Sequence, residues 1–308
     1  MPRWLKVLIA AGKAWNAGNA FKHAAAVSFY TLFSLAPITI IAVGVAGIVF
    51  GKEAATLQFS AQMTQLVGKP GAEVVQKAME ASAREDEGWA ATAVGIGLLL
   101  IGATTVFGQL QDSLNAIWSV TAQPSRSGWA VMIAQRLISF GMVLVVGFLL
   151  LSSLVLTTAL TAAVTLSQGW MPVAPWVLQA ADMVAGLALV SVLFALLFKV
   201  LPDVKVRWRE VWLGAFVTAI LFTIGRFLIA LYLGHSAIAS TYGAAGSLVA
   251  LLIWIYYSSA ILFYGAEYIR AHRLSRGLPV EPKATAVLVR YEIVKAVPGR
   301  SRSAKTRT

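Results

Sequence analysis

Cysteine is absent from the sequence, which removes disulfide frameworks, thiol nucleophiles, iron–sulfur clusters and thiolate zinc sites together. Histidine is scarce: His23, His235 and His272 fall in three separate regions with no metal-ligand spacing between them, so neither a metal nor a cofactor is expected. No glycine-rich phosphate loop of the P-loop kind occurs, which excludes direct coupling to ATP by that motif. RNA cleavage needs general acid/base partners or metal-holding carboxylates and histidines, and the sequence offers neither constellation. The expectation is a protein that is not an enzyme, with no catalytic residue.

Charge is also sparse. Only 12% of the 308 residues are charged while 58% are hydrophobic, and the mean hydropathy is +0.76. A soluble domain so apolar could not cover its surface with polar groups, whereas lipid accepts an apolar exterior. Crossing the hydrocarbon core takes about 20 apolar residues, and six runs qualify, at about 25–50, 89–110, 133–160, 177–199, 211–233 and 243–268. The fold class is therefore all-α, a polytopic membrane protein with six transmembrane helices.

Lysine and arginine set the orientation. With the N-terminus inside, Arg3, Lys6, Lys13, Lys22, Arg126, Arg136, Lys199, Lys205, Arg207, Arg209 and the ten basic residues from Arg270 to Arg307 are cytoplasmic, and only Lys52, Lys69, Lys77 and Arg84 are outside. The positive-inside rule then places both termini in the cytoplasm of a bacterial inner membrane. Residues 1–24 hold Trp4, Leu8, Ala11 and Trp15 at helical spacing with lysines nearby, an amphipathic interfacial helix retained at the N-terminus. The loop at 51–88, broken at Gly68-Lys69-Pro70-Gly71, reads as an external helical hairpin able to meet a periplasmic partner. Residues 25–270 form the membrane domain, and 271–308, with Pro279, Pro282 and Pro298 and a basic end, read as a largely disordered cytoplasmic tail. That tail suits anionic lipid headgroups better than any specific nucleic acid. Nothing in the sequence fixes an oligomeric state.

Ionisable groups inside spans cost a few kcal/mol and are default functional candidates. Arg226 and Asp182 lie about 7 and 5 residues from the outer ends of their spans, a depth difference of about 3 Å, so they can pair. Two readings stand: an anionic-ligand clamp, or an interhelical ion pair that fixes packing. Near the cytoplasmic face Gln109, Asp112 and Asn115 share a helix face at the depth of Arg136 and Glu267, as a polar path or as interfacial hydrogen bonding. Pro37, Gly214, Tyr242, Gly243, Gly246 and Gly265 are packing or hinge candidates.

Several stretches carry a family likeness: residues 24–37 (AAAVSFYTLFSLAP), Leu114-Asn115-Ala116-Ile117-Trp118-Ser119-Val120, Leu201-Pro202-Asp203-Val204-Lys205-Val206, Trp212-Leu213-Gly214-Ala215, Tyr242-Gly243-Ala244-Ala245-Gly246, and Gly265-Ala266-Glu267. Together they resemble the YihY/BrkB family of inner-membrane proteins over almost the whole chain. The family commonly has an aromatic and an Arg before Leu-Pro, where this chain has Phe198, Lys199 and Val200. The resemblance implies six spans, supplies no catalytic residues, and brings a historical ribonuclease label. It also implies a link to envelope lipid or lipopolysaccharide-precursor export. The resulting expectation is a transporter or translocation factor for an anionic envelope lipid, with a non-transporting membrane scaffold as the alternative.

Overall fold

The computed structural model describes residues 2–32, 34, 105–123, 141, 175–235 and 246–289, with the side chains of 175–179, 181, 182, 230, 232–235, 246 and 247 outside that description. The hairpin expected at 51–88, most of the expected spans at 25–50 and 89–110, and all but residue 141 of the span at 133–160 lie outside the described residues.

Among the described residues the chain forms α1 (Arg3–Ala17), α2 (20–32), α3 (105–118), β1 (Val120–Ala122), α4 (Pro175–Val200), α5 (Trp208–His235), α6 (Gly246–Ser275) and β2 (Ala286–Leu288). Three of these helices are long and apolar enough to cross a membrane, over Met183–Val200, Trp208–Ile229 and Leu248–Ser275, which are 18, 22 and 28 residues. At the α-helical rise these stretches measure about 27, 33 and 42 Å, against a hydrocarbon core of about 30 Å. The last therefore overhangs the apolar layer, and its overhang carries the polar end of the bundle.

The boundaries follow from local chemistry. α4 ends ahead of Pro202, because the ring of a proline disfavours helical geometry at the preceding residue. α5 begins with Glu210 in its first turn, where the helix dipole favours an acid, and α6 ends with His272 and Arg273 in its last turn, where it favours cations. Past Ser275 the N–H groups of Gly277 and Leu278 donate to the carbonyls of Leu274 and Arg273. Gly277 sits at φ +71°, a left-handed turn that glycine adopts without the steric cost of a Cβ.

α5 and α6 run antiparallel and close together. A Cβ added at Gly214 would overlap Ile269, one at Gly265 would overlap Thr218 and press on Phe198, and one at Gly225 would overlap the Tyr257 ring. Small residues let helix backbones approach where lipid supplies no hydrophobic drive between helices. The opposite face of α5 leaves Trp212, Phe216, Ile220, Ile224, Phe227 and Leu231 exposed, an apolar stripe suited to lipid. Leu114 from α3, Val211, Ala215 and Ala219 from α5, and Phe263, Ala266 and Ile269 from α6 form the buried centre.

Three expectations are revised. Residues 1–24 are not one helix: α1 ends at Ala17, Asn19 takes φ 56°, and α2 starts at residue 20. α1 packs lengthwise along the polar half of α6, with Val7 and Ala11 buried against Tyr268. It is pinned by Trp15 Nε1 donating to the Ala260 carbonyl at 2.9 Å, the Tyr264 hydroxyl to that of Leu8 at 3.2 Å, and Arg3 to that of Ser275 at 2.7 Å. Its amphipathic spacing serves a helix partner as well as any lipid surface. Second, the tail from 271 is folded through residue 289, the end of the described part: α6 continues to Ser275, and β2 pairs antiparallel with β1, Ala122 opposite Ala286. Third, this small sheet departs from an all-α fold. Backbone groups beyond the helix ends need partners, and two adjacent extended segments supply them to each other.

Candidate functional site

The described polar side chains concentrate where α3, α4, α5 and α6 end together. The Leu201-Pro202-Asp203 turn follows α4, and Asp203 meets α3 through a reciprocal pair. Asn115 Nδ2 donates to Asp203 Oδ2 at 2.9 Å, and the Asp203 backbone N–H donates to Asn115 Oδ1 at 2.8 Å. Gln111 donates to the same carboxylate oxygen at 3.3 Å. On the other side, the Lys283 backbone N–H donates to the Asp203 carbonyl and the Lys205 N–H to that of Glu281, while Lys283 Nζ donates to the Val200 carbonyl at 3.1 Å. Burial lowers the Lys283 pKa, with the nearby Asp203 opposing and Lys199 adding to that shift. Asp112 is pushed up, first by desolvation and then by the negative charge of Asp203.

A second cluster ties α5 to the end of α6. Arg273 and Glu210 pair at 2.9 Å with side-chain exposures of 5% and 6%, and Arg273 also donates from Nε to the Pro279 carbonyl at 2.8 Å. Glu281, largely exposed, stands 3.5 Å from the same guanidinium. A buried pair of this kind is held by its hydrogen bonds and is costly to break one partner at a time. A third contact joins Glu267, 2% exposed, to Arg270 at 3.5 Å; Arg270 reaches Ser119 Oγ at 3.4 Å. Lys199 Nζ donates to the Val206 carbonyl at 2.5 Å and lies over the Trp208 ring.

The sequence candidates separate accordingly. Asn115 joins a polar cluster centred on Asp203, while Asp112 stands exposed beside it; Gln109 instead hydrogen-bonds along its own helix to Ser113 at 3.3 Å. Glu267 is paired with Arg270 beneath the α1–α2 break. Gly214 and Gly265 are packing glycines between α5 and α6. Arg226 is exposed and makes no ion pair among the described residues; the Asp182 side chain, its expected partner, lies outside them. Pro37, Arg136, Tyr242 and Gly243 also lie outside, and Gly246 is known only as the first residue of α6. Sequence reasoning missed Asp203, Glu210, Arg273 and Lys283. Asp203 had a signal, since it stands in one of the stretches that carry the family resemblance; Glu210 and Arg273 had only their positions at opposite helix ends.

Among the described residues no group of three or more His, Asp or Glu could hold a metal ion. Asp203, Glu210 and Glu267 face amide or arginine partners, an arrangement that fixes helix ends to one another.

Long apolar helices, a lipid-suited stripe along α5 and charge gathered at one end define an integral membrane protein. The chain belongs to the family described as Virulence factor BrkB, which matches residues 11–286. It is similar to a UPF0761 membrane protein of Tolumonas auensis, 31% identical over 187 residues, covering 58% of this chain and 56% of the relative. It is also similar to the UPF0761 membrane protein YihY of Escherichia coli O7:K1, 31% identical over 179 residues and 57% of each chain. A longer match reaches Smlt0865, a UPF0761 membrane protein of Stenotrophomonas maltophilia, at 26% identity over 270 residues, 85% of this chain and 59% of that one. The chain thus spans under two thirds of the length of these relatives. No solved structure matches it.

Proposed function

We propose that the protein is a six-span bacterial inner-membrane protein, with both termini cytoplasmic, that moves or hands over an anionic envelope lipid such as a phospholipid or lipopolysaccharide precursor. Arg226 carries this reading. On α5 the buried residues Val211, Ala215 and Ala219 and the half-buried Phe222 define the packed face. Arg226 continues that face four residues after Phe222 and seven after Ala219, yet it is exposed. A guanidinium on the packed side of an apolar helix, rather than on its lipid stripe, is in place to take a phosphate by paired hydrogen bonds. One turn below it Phe222 meets Trp254, ring centroids 6.0 Å apart, an apolar floor suited to the acyl portion of the same lipid.

A non-transporting scaffold is the competing reading, favoured by the closed ion pairs of the polar end, which fix packing. Purified protein in vesicles with headgroup-labelled phospholipid separates the two. Movement above the protein-free rate supports translocation; no movement with any anionic lipid tested supports the scaffold. Orientation is tested separately, because the chain has no cysteine of its own: Ser275→Cys and Ser60→Cys are expected to react with an impermeant thiol reagent from opposite sides. Labelling from one side would contradict the proposed topology.

A further inference from the structure

The segment after α6 has no role in the reading above, yet it touches three other parts of the chain. From the turn at Gly277 it passes Glu210 and Arg273 through the Pro279 carbonyl, bridges Val204 at Pro282, contacts Asp203 and Val200 through Lys283, and ends paired along β1. The Gln123 N–H donates to the Thr285 carbonyl and the Val289 N–H to that of Ser119. These contacts cross the loops that follow α3 and α4, so the segment lies across the gathered ends of α3, α4, α5 and α6.

We infer that residues 278–289 are a strap that closes the polar end of the bundle and swings about Gly277 to open it. Its purpose, regulating access to the lipid pathway, rests on the function proposed above; its geometry does not. The strap is held by means that differ from those of the helices it covers. Between α5 and α6 the contact is buried and glycine-tight, whereas the strap offers one three-residue strand, with Val287 and Leu288 exposed and Ala286 its one buried hydrophobic residue. Segments with few buried apolar contacts and solvent-facing backbone hydrogen bonds open at far lower cost than packed cores. Gly277 gives the hinge: its left-handed φ is native to glycine, and nothing stands within 4 Å of where a Cβ would lie. Lys283 is the latch on the opposite rim: its backbone N–H donates to the Asp203 carbonyl and its Nζ to the Val200 carbonyl at 3.1 Å.

The absence of cysteine makes the test direct. Ala286, on the strap itself, is 6% exposed, while Ala266 and Ala219 are 0% exposed in the helix core. In the full chain in detergent, the Ala286→Cys protein is expected to react with an impermeant maleimide at least on the order of tenfold faster than Ala266→Cys or Ala219→Cys. Adding Lys283→Ala, which removes the strap's side-chain hydrogen bond to the Val200 carbonyl, is expected to raise the 286 rate by on the order of tenfold and to leave the core rates unchanged. Equal rates at 286 and in the core, or a rise at all positions together, would overturn the strap.

The second arm locks it. Ala122 and Ala286 face each other in the sheet at a position between the hydrogen-bonded pairs, where Cα atoms lie about 4.5 Å apart, within disulfide reach. Oxidised Ala122→Cys/Ala286→Cys protein in vesicles is expected to move no lipid, and reduction to restore the wild-type rate. Equal movement in both states overturns the gating role. If the reduced protein and wild type both move none, the transport reading fails, and the labelling rates alone decide whether the strap opens.

Discussion

At the polar end of the bundle the ends of α3, α4, α5 and α6 are tied to one another by Asn115–Asp203, Glu210–Arg273 and the β1–β2 pair, and α1 is laid along α6 to cover Tyr268. Toward the other end of α5 the backbone contact with α6 continues through Gly225 and Tyr257, but the charge beside it, Arg226, is exposed. The two regions show two uses of charge in one membrane protein. Where both partners are present and buried, charge specifies which helix ends meet; the exposed Arg226 on the packed side of α5 is, in the function proposed above, the charge that takes a ligand.

That contrast is open to direct disruption. The largest effect is expected for Arg273→Ala, which leaves Glu210 buried without its partner and should cost about 3–5 kcal/mol of stability in detergent unfolding. The Glu210→Leu/Arg273→Met double variant should recover most of that loss; a single variant of near wild-type stability would mean the pair contributes nothing to holding α5 on α6. Next comes Gly265→Val, which drives a side chain into Thr218 and Phe198 and should cost about 3 kcal/mol, the upper end of overpacking. Asn115→Ala removes both hydrogen bonds to Asp203 and should cost about 2 kcal/mol. In each case a thermal midpoint indistinguishable from wild type counts against the contact described.

The smallest effect depends on pH. Because the fold raises the Asp112 pKa, it favours the protonated carboxyl. That contribution is present below the ordinary carboxylate range and is lost as the pH rises through the folded-state value. Asp112→Asn should therefore raise the thermal midpoint slightly at neutral pH, with the gain vanishing in acid. A loss at neutral pH would show that Asp112 is held as a carboxylate, and a gain independent of pH would show that its titration does not contribute to stability.

The membrane helices were legible because apolar length is a local property. Runs expected at 177–199, 211–233 and 243–268 appear as α4 (Pro175–Val200), α5 (Trp208–His235) and α6 (Gly246–Ser275), the last running seven residues past its expected end, where flanking polar residues still hold helical geometry. The small residues Gly214 and Gly265 were also read from the sequence as packing positions. The polar end was not legible to the same degree, because its pairs join residues far apart in the chain: Asn115 and Asp203 are separated by 88 residues and Glu210 and Arg273 by 63. Local composition even pointed away from the strap. Pro279, Pro282 and the nearby basic residues read as disorder, yet neither proline is asked to donate a ladder hydrogen bond, and Ala286-Val287-Leu288-Val289 is a short β-favouring run that needed only β1 beside it.

The account turns on Arg226 as an open charge rather than a packing element. The deciding measurement is headgroup-labelled anionic lipid movement in vesicles for wild type, Arg226→Lys and Arg226→Ala, with unfolding followed on the same preparations. The account predicts that Arg226→Ala keeps its stability within about 0.5 kcal/mol of wild type, as exposed positions do, while losing lipid movement, and that Arg226→Lys retains part of it. Unchanged movement in a folded Arg226→Ala protein would contradict the account.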